Sequence, residues 1–252
     1  MYDNFELLSI ENPLGPAPVA YAPSVSSTMD VVRDPVFLER VLGSDATAAP
    51  HGTVVAAGVQ MQGRGTHGRG WETPEDAALL LTIVLHRPAD WPLSTIRLGL
   101  AVRAYAAAHG VQARVKWPND VMVGSRKLAG VLCEWQGGVL YCGLGVNVHA
   151  SPAGHEAVSL REAGAQDLAG YSLELSRLLA CVARYVGPEA GEVRAELSSS
   201  LYGAGESVHI RMPDGGLRTG TIVDVDAQGG LVVAHLGQTF TLYAGRIEAL
   251  FP

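Results

Sequence analysis

Residues 53–86 read TVVAAGVQMQGRGTHGRGWETPEDAALLLTIVLH, with an apolar run at each end and a glycine-rich segment between them. The two apolar runs, Thr53–Val59 and Ala77–His86, have the length and composition of buried strands. Residues 63–68 match G-x-G-x-x-G, the pattern that begins a helix in dinucleotide-binding βαβ units. Residues 69–76 show no helical pattern, so we predict strand, loop, strand. This argues against a nicotinamide-binding fold, although Asp90 lies near the spacing expected for that fold's ribose-binding acid.

The glycine-rich loop carries two permanent cations, Arg64 and Arg69. Glycines let backbone N–H groups approach an anion closely, and a guanidinium group binds phosphate or carboxylate oxygens in pairs. The loop is therefore a candidate anion site, and the alternative is an arginine-bearing hairpin loop without a ligand. Because such loops often become ordered on binding, we expect residues 63–70 to be mobile in the ligand-free protein.

The composition is that of an ordinary globular protein, with 252 residues, 48% of them apolar and 17% charged. The net charge of −7 argues against a general nucleic-acid coat. No apolar run approaches the roughly 18 residues of a membrane span, and the N-terminus lacks a secretion-signal pattern. Three cysteines without metal-ligand spacing predict buried, reduced thiols in a cytoplasmic protein: Cys133, Cys142 and Cys181.

End signals predict three helices. Asp34 as cap and Pro35 in the first turn predict a helix at 36–42, Ser94 caps one that runs to His109, and Ser172 begins one at 173–186. Residues 1–25 indicate an extended lead-in or an edge strand. Short strands are expected at 113–117, 121–123, 127–135 and 139–148.

The pattern changes after Gly203 to short alternating runs with no helix between them. These runs lie at 207–211, 217–226, 230–235 and 239–243, a spacing typical of a small β-barrel. We therefore predict a large domain at 1–202 and a small C-terminal β-barrel domain at 203–252, with the boundary between 198 and 205.

Three further motifs follow the glycine loop: KWPND at 116–120, RKLAG at 126–130 and GLGVNV at 143–148. Pro118 interrupts the strand, so the side chains of Asn119 and Asp120 can point from a turn toward a ligand. Lys127 begins a strand beside small residues and can lie against an anion. The alternatives are a plain turn and a solvated strand-end lysine. Asn147 lies among valines and needs a hydrogen-bond partner if it is buried.

The four motifs, in this order, resemble those of biotin protein ligases, over roughly residues 20–250. The resemblance implies an α/β (α+β) fold, with a mixed-sheet catalytic domain of the biotin/lipoate protein ligase type and a small SH3-like β-barrel. It implies biotin and ATP as substrates, biotinyl-5′-adenylate as intermediate, and a lysine of the biotin-carrier domain of acetyl-CoA carboxylase or a related carboxylase as acceptor. Mg²⁺ is expected with the nucleotide, and the protein is expected to be a monomer or homodimer that binds neither DNA nor membrane.

The resemblance also implies roles for individual residues. Lys127 and Arg64 would be catalytic, and Asp120 is a candidate Mg²⁺ ligand. The expected biotin-binding residues are Ser27, Thr28, Gln60, Gly63, Arg64, Gly65, Thr66, Lys127 and Gly130. The expected ATP-binding residues are Arg64, Arg69, Asn119, Asp120, Lys127 and Asn147. We interpret Trp71 and Trp117 as core aromatics outside the site. Ser27 and Thr28 could instead cap a helix, and Gln60 could be an exposed strand-end residue.

The sequence departs from the family pattern at two positions. Met29 stands where an asparagine is usual, so one polar contact near biotin is lost or supplied elsewhere. Thr66 stands where an arginine that helps to retain the acyl-adenylate is common. We expect either looser retention of the intermediate or compensation by Arg69.

Three alternative functions stay open. A lipoate or octanoate protein ligase has a related fold and related chemistry, but Gln60, the glycine loop and the trailing β-domain favour biotin. A biotin-responsive transcriptional regulator would need a helix-turn-helix, and the residues before Ser26 are too few and too rich in proline for that module. We therefore expect the form without an N-terminal DNA-binding domain. A binding module without catalysis would make Lys127 or Arg64 dispensable.

Overall fold

A computed structural model describes residues 2–45, 47–88, 91–153, 156–186 and 190–250. Eight strands form one mixed sheet: β1 (Glu6–Leu7), β2 (Val19–Val25), β3 (Val54–Gln60), β4 (Ala78–His86), β5 (Arg114–Lys116), β6 (Asp120–Val123), β7 (Arg126–Gln136) and β8 (Val139–Asn147). Their order is β1-β2-β3-β4-β8-β7-β6-β5. The β2–β3 pair is parallel and the other pairs are antiparallel. The predicted strand–loop–strand is confirmed, because β3 and β4 are antiparallel neighbours without an α-helix between them.

Both faces of the sheet are buried, which explains the continuous apolar run of β4. Five helices accompany the sheets: α1 (Thr28–Val31), α2 (Pro35–Arg40), α3 (Ser94–Ala108), α4 (Tyr171–Val186) and α5 (Ala190–Ser200). Alternate residues of the strands belong to two cores: one shared with α3 and α4, and a smaller one with α1 and α2. None of the helices in the described ranges has both the length and the apolar character needed to span a bilayer.

The helix starts test the predicted caps. The backbone N–H of Val36 donates to Asp34 Oδ1 at 2.8 Å, so the predicted cap of α2 is confirmed. The prediction for Ser94 was wrong: a 3₁₀ turn at Trp91–Leu93 leads directly into α3, so Leu93 occupies the cap and Ser94 is already helical. Ser172 likewise lies inside α4, which begins at Tyr171. Helix α5 was not predicted.

The C-terminal part forms a second, antiparallel sheet: β9 (Ser207–Arg211), β10 (Leu217–Val225), β11 (Leu231–His235), β12 (Gln238–Leu242) and β13 (Arg246–Leu250). Its order is β12-β11-β10-β9-β13. The sequence did not reveal β13. Among the described residues the two edge strands, β12 and β13, do not pair with each other, so the expected barrel takes the form of an open five-stranded sheet. The Trp117 indole N–H donates to the Gly229 carbonyl at 2.9 Å and connects the two sheets. A domain boundary at 202/203 stays a prediction.

Candidate active site

A cleft opens where β4, β7 and β8 meet α1 and the glycine loop. Eight of the nine predicted biotin-binding residues line this first cleft: Ser27, Thr28, Gln60, Arg64, Gly65, Thr66, Lys127 and Gly130. Gly63 lies at the base of the loop instead, where its carbonyl accepts a hydrogen bond from the Trp71 N–H at 2.9 Å. Residues from four separate stretches of the sequence therefore share one cavity.

The inner end of the first cleft holds a neutral hydrogen-bond network. Gln60 Oε1 accepts from the Thr28 N–H at 2.8 Å and from the Thr28 hydroxyl at 3.0 Å. The Thr28 hydroxyl also lies 2.9 Å from the Thr82 hydroxyl. Ser27 occupies the N-cap position of α1, but its side chain makes no capping hydrogen bond in the described part of the chain. We did not predict Thr82 as a site residue, because it lies within the otherwise apolar run of β4.

Met29 forms an apolar wall of this cleft. It is 3% exposed, and a Cβ added to Gly143 would lie 2.9 Å from Met29 Cε. The methionine therefore packs directly over the glycine, and close approach is the reason for a glycine at this position.

The glycine loop is a hairpin in which Arg64 and Gly70 form an isolated antiparallel bridge. The Gly65 N–H donates to the Arg69 carbonyl at 2.8 Å, and residues 66–68 form a 3₁₀ turn. The Arg64 guanidinium lies 2.7 Å from Asp30 Oδ1 and 4.0 Å from Glu134 Oε1. Two carboxylates of the protein thus accompany Arg64, and an anionic substrate would compete with them. The expected mobility of residues 63–70 stays a prediction.

Trp71 lies in the cleft, and its assignment to the core was wrong. A Cβ added to Gly145 would lie 2.5 Å from Trp71 Cε2, and one added to Gly130 would lie 2.9 Å from Cζ3. Gly130 and Gly145 are directly paired across β7 and β8, so together they leave a slot for the indole. The cross-strand pairing was the missing signal, because neither motif alone shows that its glycine faces a ring. Trp117 is buried at 2% exposure and does not line this cleft.

A second, wider cleft of about 500 Å³ adjoins the first, and Lys127 lines both. Its ammonium lies 2.6 Å from Asp120 Oδ1 and 5.2 Å from the centre of the Trp71 ring. Three of the residues predicted to bind ATP line this second cleft: Arg69, Asp120 and Asn147. Lys127 therefore stands at the junction of a largely neutral cavity and a charged one.

Two amides of the predicted nucleotide site differ in their environment. The Asn119 amide donates to the Val131 carbonyl at 3.2 Å and lines the first cleft, so it is committed to β7. Asn147 is buried, and its Nδ2 donates to the Val158 carbonyl at 3.3 Å. Its Oδ1 is buried and has no hydrogen-bond partner within the described ranges. An acceptor in this situation can bind a donor on a ligand.

Lys116 is a cleft residue that we did not predict. Burial, opposed by the charge of Asp120 and assisted by that of Arg246, lowers the pKa of its ammonium. Lys116 and Lys127 are the two lysines of the chain, and both line the second cleft.

The described residues hold no cluster of three His, Cys, Asp or Glu side chains that could bind a metal by themselves.

The model of the biotin/lipoate A/B protein ligase family matches residues 21–149, which include the glycine loop and the KWPND, RKLAG and GLGVNV motifs. The chain belongs to this family.

Relatives within the ligase family support the assignment. The biotin–[acetyl-CoA-carboxylase] ligase of Mycobacterium tuberculosis is 30% identical over 211 residues, which cover 79% of each chain. Among solved structures, a biotin protein ligase from Aquifex aeolicus in complex with biotin and ATP has a TM-score of 0.76 at 23% identity, covering 91% of this chain and 97% of that one. A Leishmania major biotin protein ligase in complex with biotin has a TM-score of 0.60 at 25% identity, covering 88% of this chain and 96% of that one. The fold is therefore that of biotin protein ligases.

Proposed function

We propose that this protein is a biotin–protein ligase. It activates biotin with ATP and then transfers biotin to a lysine of a biotin-carrier domain. In the first step a biotin carboxylate oxygen bonds to the α-phosphorus of ATP while the bond to pyrophosphate breaks. In the second, the acceptor amine bonds to the carbonyl carbon of biotinyl-5′-adenylate, loses a proton and displaces AMP. The 30% identity over 79% of the mycobacterial ligase supports this reaction.

The position of Lys127 between the two clefts carries the proposal. Activation brings a carboxylate and a phosphate together, so the principal requirement is to neutralise charge at their junction. The Lys127 ammonium stands at that junction, and Asp120 holds it there by an ion pair until the substrate anions arrive. Arg64 enters from the loop on the biotin side and Arg69 on the nucleotide side.

Biotin would occupy the first cleft. Its ureido ring requires hydrogen-bonding groups inside an apolar slot, and the Thr28–Gln60–Thr82 network supplies them at the inner end. Ser27 adds a hydroxyl, while Met29 and the glycines of β8 form the apolar wall. The carboxylate then points outward to Lys127 and Arg64. Gly65, Thr66 and Gly130 shape the cleft at this end.

ATP would occupy the second cleft. The buried Asn147 Oδ1 can accept a hydrogen bond from the exocyclic amine of adenine, and the Trp71 ring offers a face for stacking. Asn119 positions β7 rather than the nucleotide. Mg²⁺ fits as an ion bound mainly by the phosphates and water with one protein carboxylate, and Asp120 would be that ligand. Such an ion supplies charge neutralisation to the phosphates.

The acceptor would be the biotin-carrier domain of acetyl-CoA carboxylase or a related carboxylase, and the protein would act as a monomer or homodimer. To test this, we would incubate the protein with ATP, a carrier domain, and either biotin or lipoate. We expect only biotin on the acceptor lysine, and no product on a carrier whose acceptor lysine is replaced by arginine. Labelling by lipoate or octanoate alone would establish the rival ligase.

The decisive experiment for activation is ATP–pyrophosphate exchange that depends on added biotin. We expect labelled pyrophosphate to enter ATP only when biotin is present. Exchange that is absent with biotin, while the protein still binds it, would reduce the chain to a binding module. Specific gel-shift binding to DNA would instead support a biotin-responsive regulator.

A further inference from the structure

Cys133 on β7 and Cys142 on β8 face each other across neighbouring antiparallel strands, as direct register partners. A two-residue turn, Gly137–Gly138, joins the strands, with Gln136 and Val139 as the closing pair. In such a hairpin the closing pair is hydrogen-bonded and the pairs alternate from there. Counting back along the strands, the cysteines form a non-hydrogen-bonded pair, the kind in which opposite side chains are closest.

Each thiol of the pair shifts the pKa of the other. The Cys142 thiol donates a hydrogen bond to Cys133, and this bond lowers the pKa of Cys133 and raises that of Cys142. The Thr95 hydroxyl also bonds to Cys133 and lowers its pKa further. Thr95 lies in the first turn of the 15-residue helix α3, whose N-terminus favours a nearby anion. Cys133 is half-buried and Cys142 is buried.

We propose that Cys133 and Cys142 are a peroxide-sensitive thiol pair, which closes to a reversible cross-strand disulfide and slows the reaction at the neighbouring cleft. A reactive thiolate with a resolving thiol beside it is the arrangement typical of redox-sensor cysteines. The Cys133 thiolate attacks the O–O bond of hydrogen peroxide, which gives a sulfenic acid and, after protonation, one water. The Cys142 sulfur then bonds to the sulfenic sulfur and displaces the second water. The two thiols lose two electrons and two hydrogens to the peroxide.

A disulfide at this position would affect the first cleft, because the residues next to the cysteines line it. Leu132 and Gly143, the next residues along each strand, line the first cleft on the opposite face of the sheet. Non-hydrogen-bonded partners have Cα atoms about 4.5 Å apart, near the short end of the roughly 4.4–6.8 Å found in disulfides, whose commonest separation is about 5.5–6 Å, so closure can separate the strands by up to roughly 1 Å. Misplacement of about 1 Å at a reacting centre can cost 10²-fold in rate. This effect rests on the proposed function, but formation of the disulfide does not.

The experiment treats the intact protein with hydrogen peroxide, counts free thiols after denaturation, and maps cross-linked peptides by mass spectrometry without reduction. We expect the loss of two of the three thiols and a Cys133–Cys142 linked peptide. Cys181, whose pKa is raised by burial, should stay reduced and makes Cys181→Ser the matched control. Biotin-dependent exchange should fall by about tenfold or more on oxidation and return with dithiothreitol.

Cys133→Ser and Cys142→Ser, each checked for folding by circular dichroism, should form no link and lose no exchange activity to brief peroxide treatment. Absence of the linked peptide in the wild type overturns the proposal. A linked peptide with unchanged exchange also overturns it, because the pair would then be uncoupled from the cleft. The thiol count decides on the disulfide even in a protein without exchange activity, so failure of the proposed function is distinguishable.

Discussion

The two clefts that meet at Lys127 are organised in different ways. In the first, neutral groups of the protein are bonded to one another before a ligand arrives, as in the contacts of Thr28 with Gln60 and Thr82. In the second, the Lys127 ammonium is paired with the Asp120 carboxylate, and Asn147 Oδ1 has no hydrogen-bond partner among the described residues. A rigid neutral slot suits a neutral ring, whereas a charged cleft with exchangeable partners suits an anion that must enter and leave. Substitutions should therefore affect the two substrates separately.

Loss of the shared cation should have the largest effect. Lys127→Ala removes the positive charge at the carboxylate–phosphate junction, so exchange should fall by about 10²–10³-fold while much of the biotin binding is retained. Arg126→Ala is the control, because it removes an exposed charge from the neighbouring position. Calorimetry would measure biotin binding, and ATP–pyrophosphate exchange rates would measure adenylate formation. An unchanged rate of adenylate formation in Lys127→Ala would refute the catalytic role.

Two glycines of β8 lie against different side chains, Met29 and Trp71, so substitutions there perturb different parts of the site. Gly145→Ala places a methyl group 2.5 Å from Trp71 Cε2, so the indole must move and KM for ATP should rise. Overpacking costs about 1–3 kcal/mol, which corresponds to roughly a fivefold to 150-fold rise. Gly143→Ala instead meets the flexible end of Met29 and should raise KM for biotin. Steady-state kinetics with each substrate varied in turn would measure both KM values. Equal effects of both variants on both substrates would remove the distinction between the clefts.

Thr66 tests how the intermediate is retained. Thr66→Arg adds a cation that can bond to biotinyl-5′-adenylate, and a hydrogen bond to a charged group contributes about 1.5–3 kcal/mol. Dissociation of the adenylate should therefore slow by roughly tenfold or more, as measured by stopped-flow or by chase with unlabelled ligand. Equal off-rates in the wild type and the variant would discard the idea that Thr66 loosens retention.

The smallest effect is expected in the neutral network. Thr82→Val removes one hydroxyl partner of Thr28, and a hydrogen bond of this kind contributes about 1 kcal/mol, or fivefold in biotin KM. KM for ATP should not change. Thr53→Val is the control, because it makes the same substitution at a buried hydroxyl that has no hydrogen-bond partner in the part of the chain that the structure describes. A matching loss in Thr53→Val would assign the effect to packing rather than to the network.

Short sequence patterns predicted the features that depend on residues close together in the chain. The strand–loop–strand and the Asp34 cap follow from runs and end signals, and the four motifs indicated both the family and the residues that line the clefts. Features that depend on pairing between distant strands were hidden. The slot for Trp71 exists because Gly130 faces Gly145, and Thr82 looked like one more residue of an apolar strand. Ser94 failed as a cap because a preceding turn already supplied helical geometry.

The two lysines of the chain, Lys116 and Lys127, have a consequence for self-protection. The proposed intermediate acylates amines, and some of it escapes if Thr66 loosens its retention and Arg69 does not compensate. An adenylate that diffuses away meets a protein surface whose cationic side chains are arginines rather than lysines. Guanidinium groups are poor nucleophiles because they stay protonated. Outside the second cleft, therefore, the protein presents no lysine side chain to the reagent that it makes.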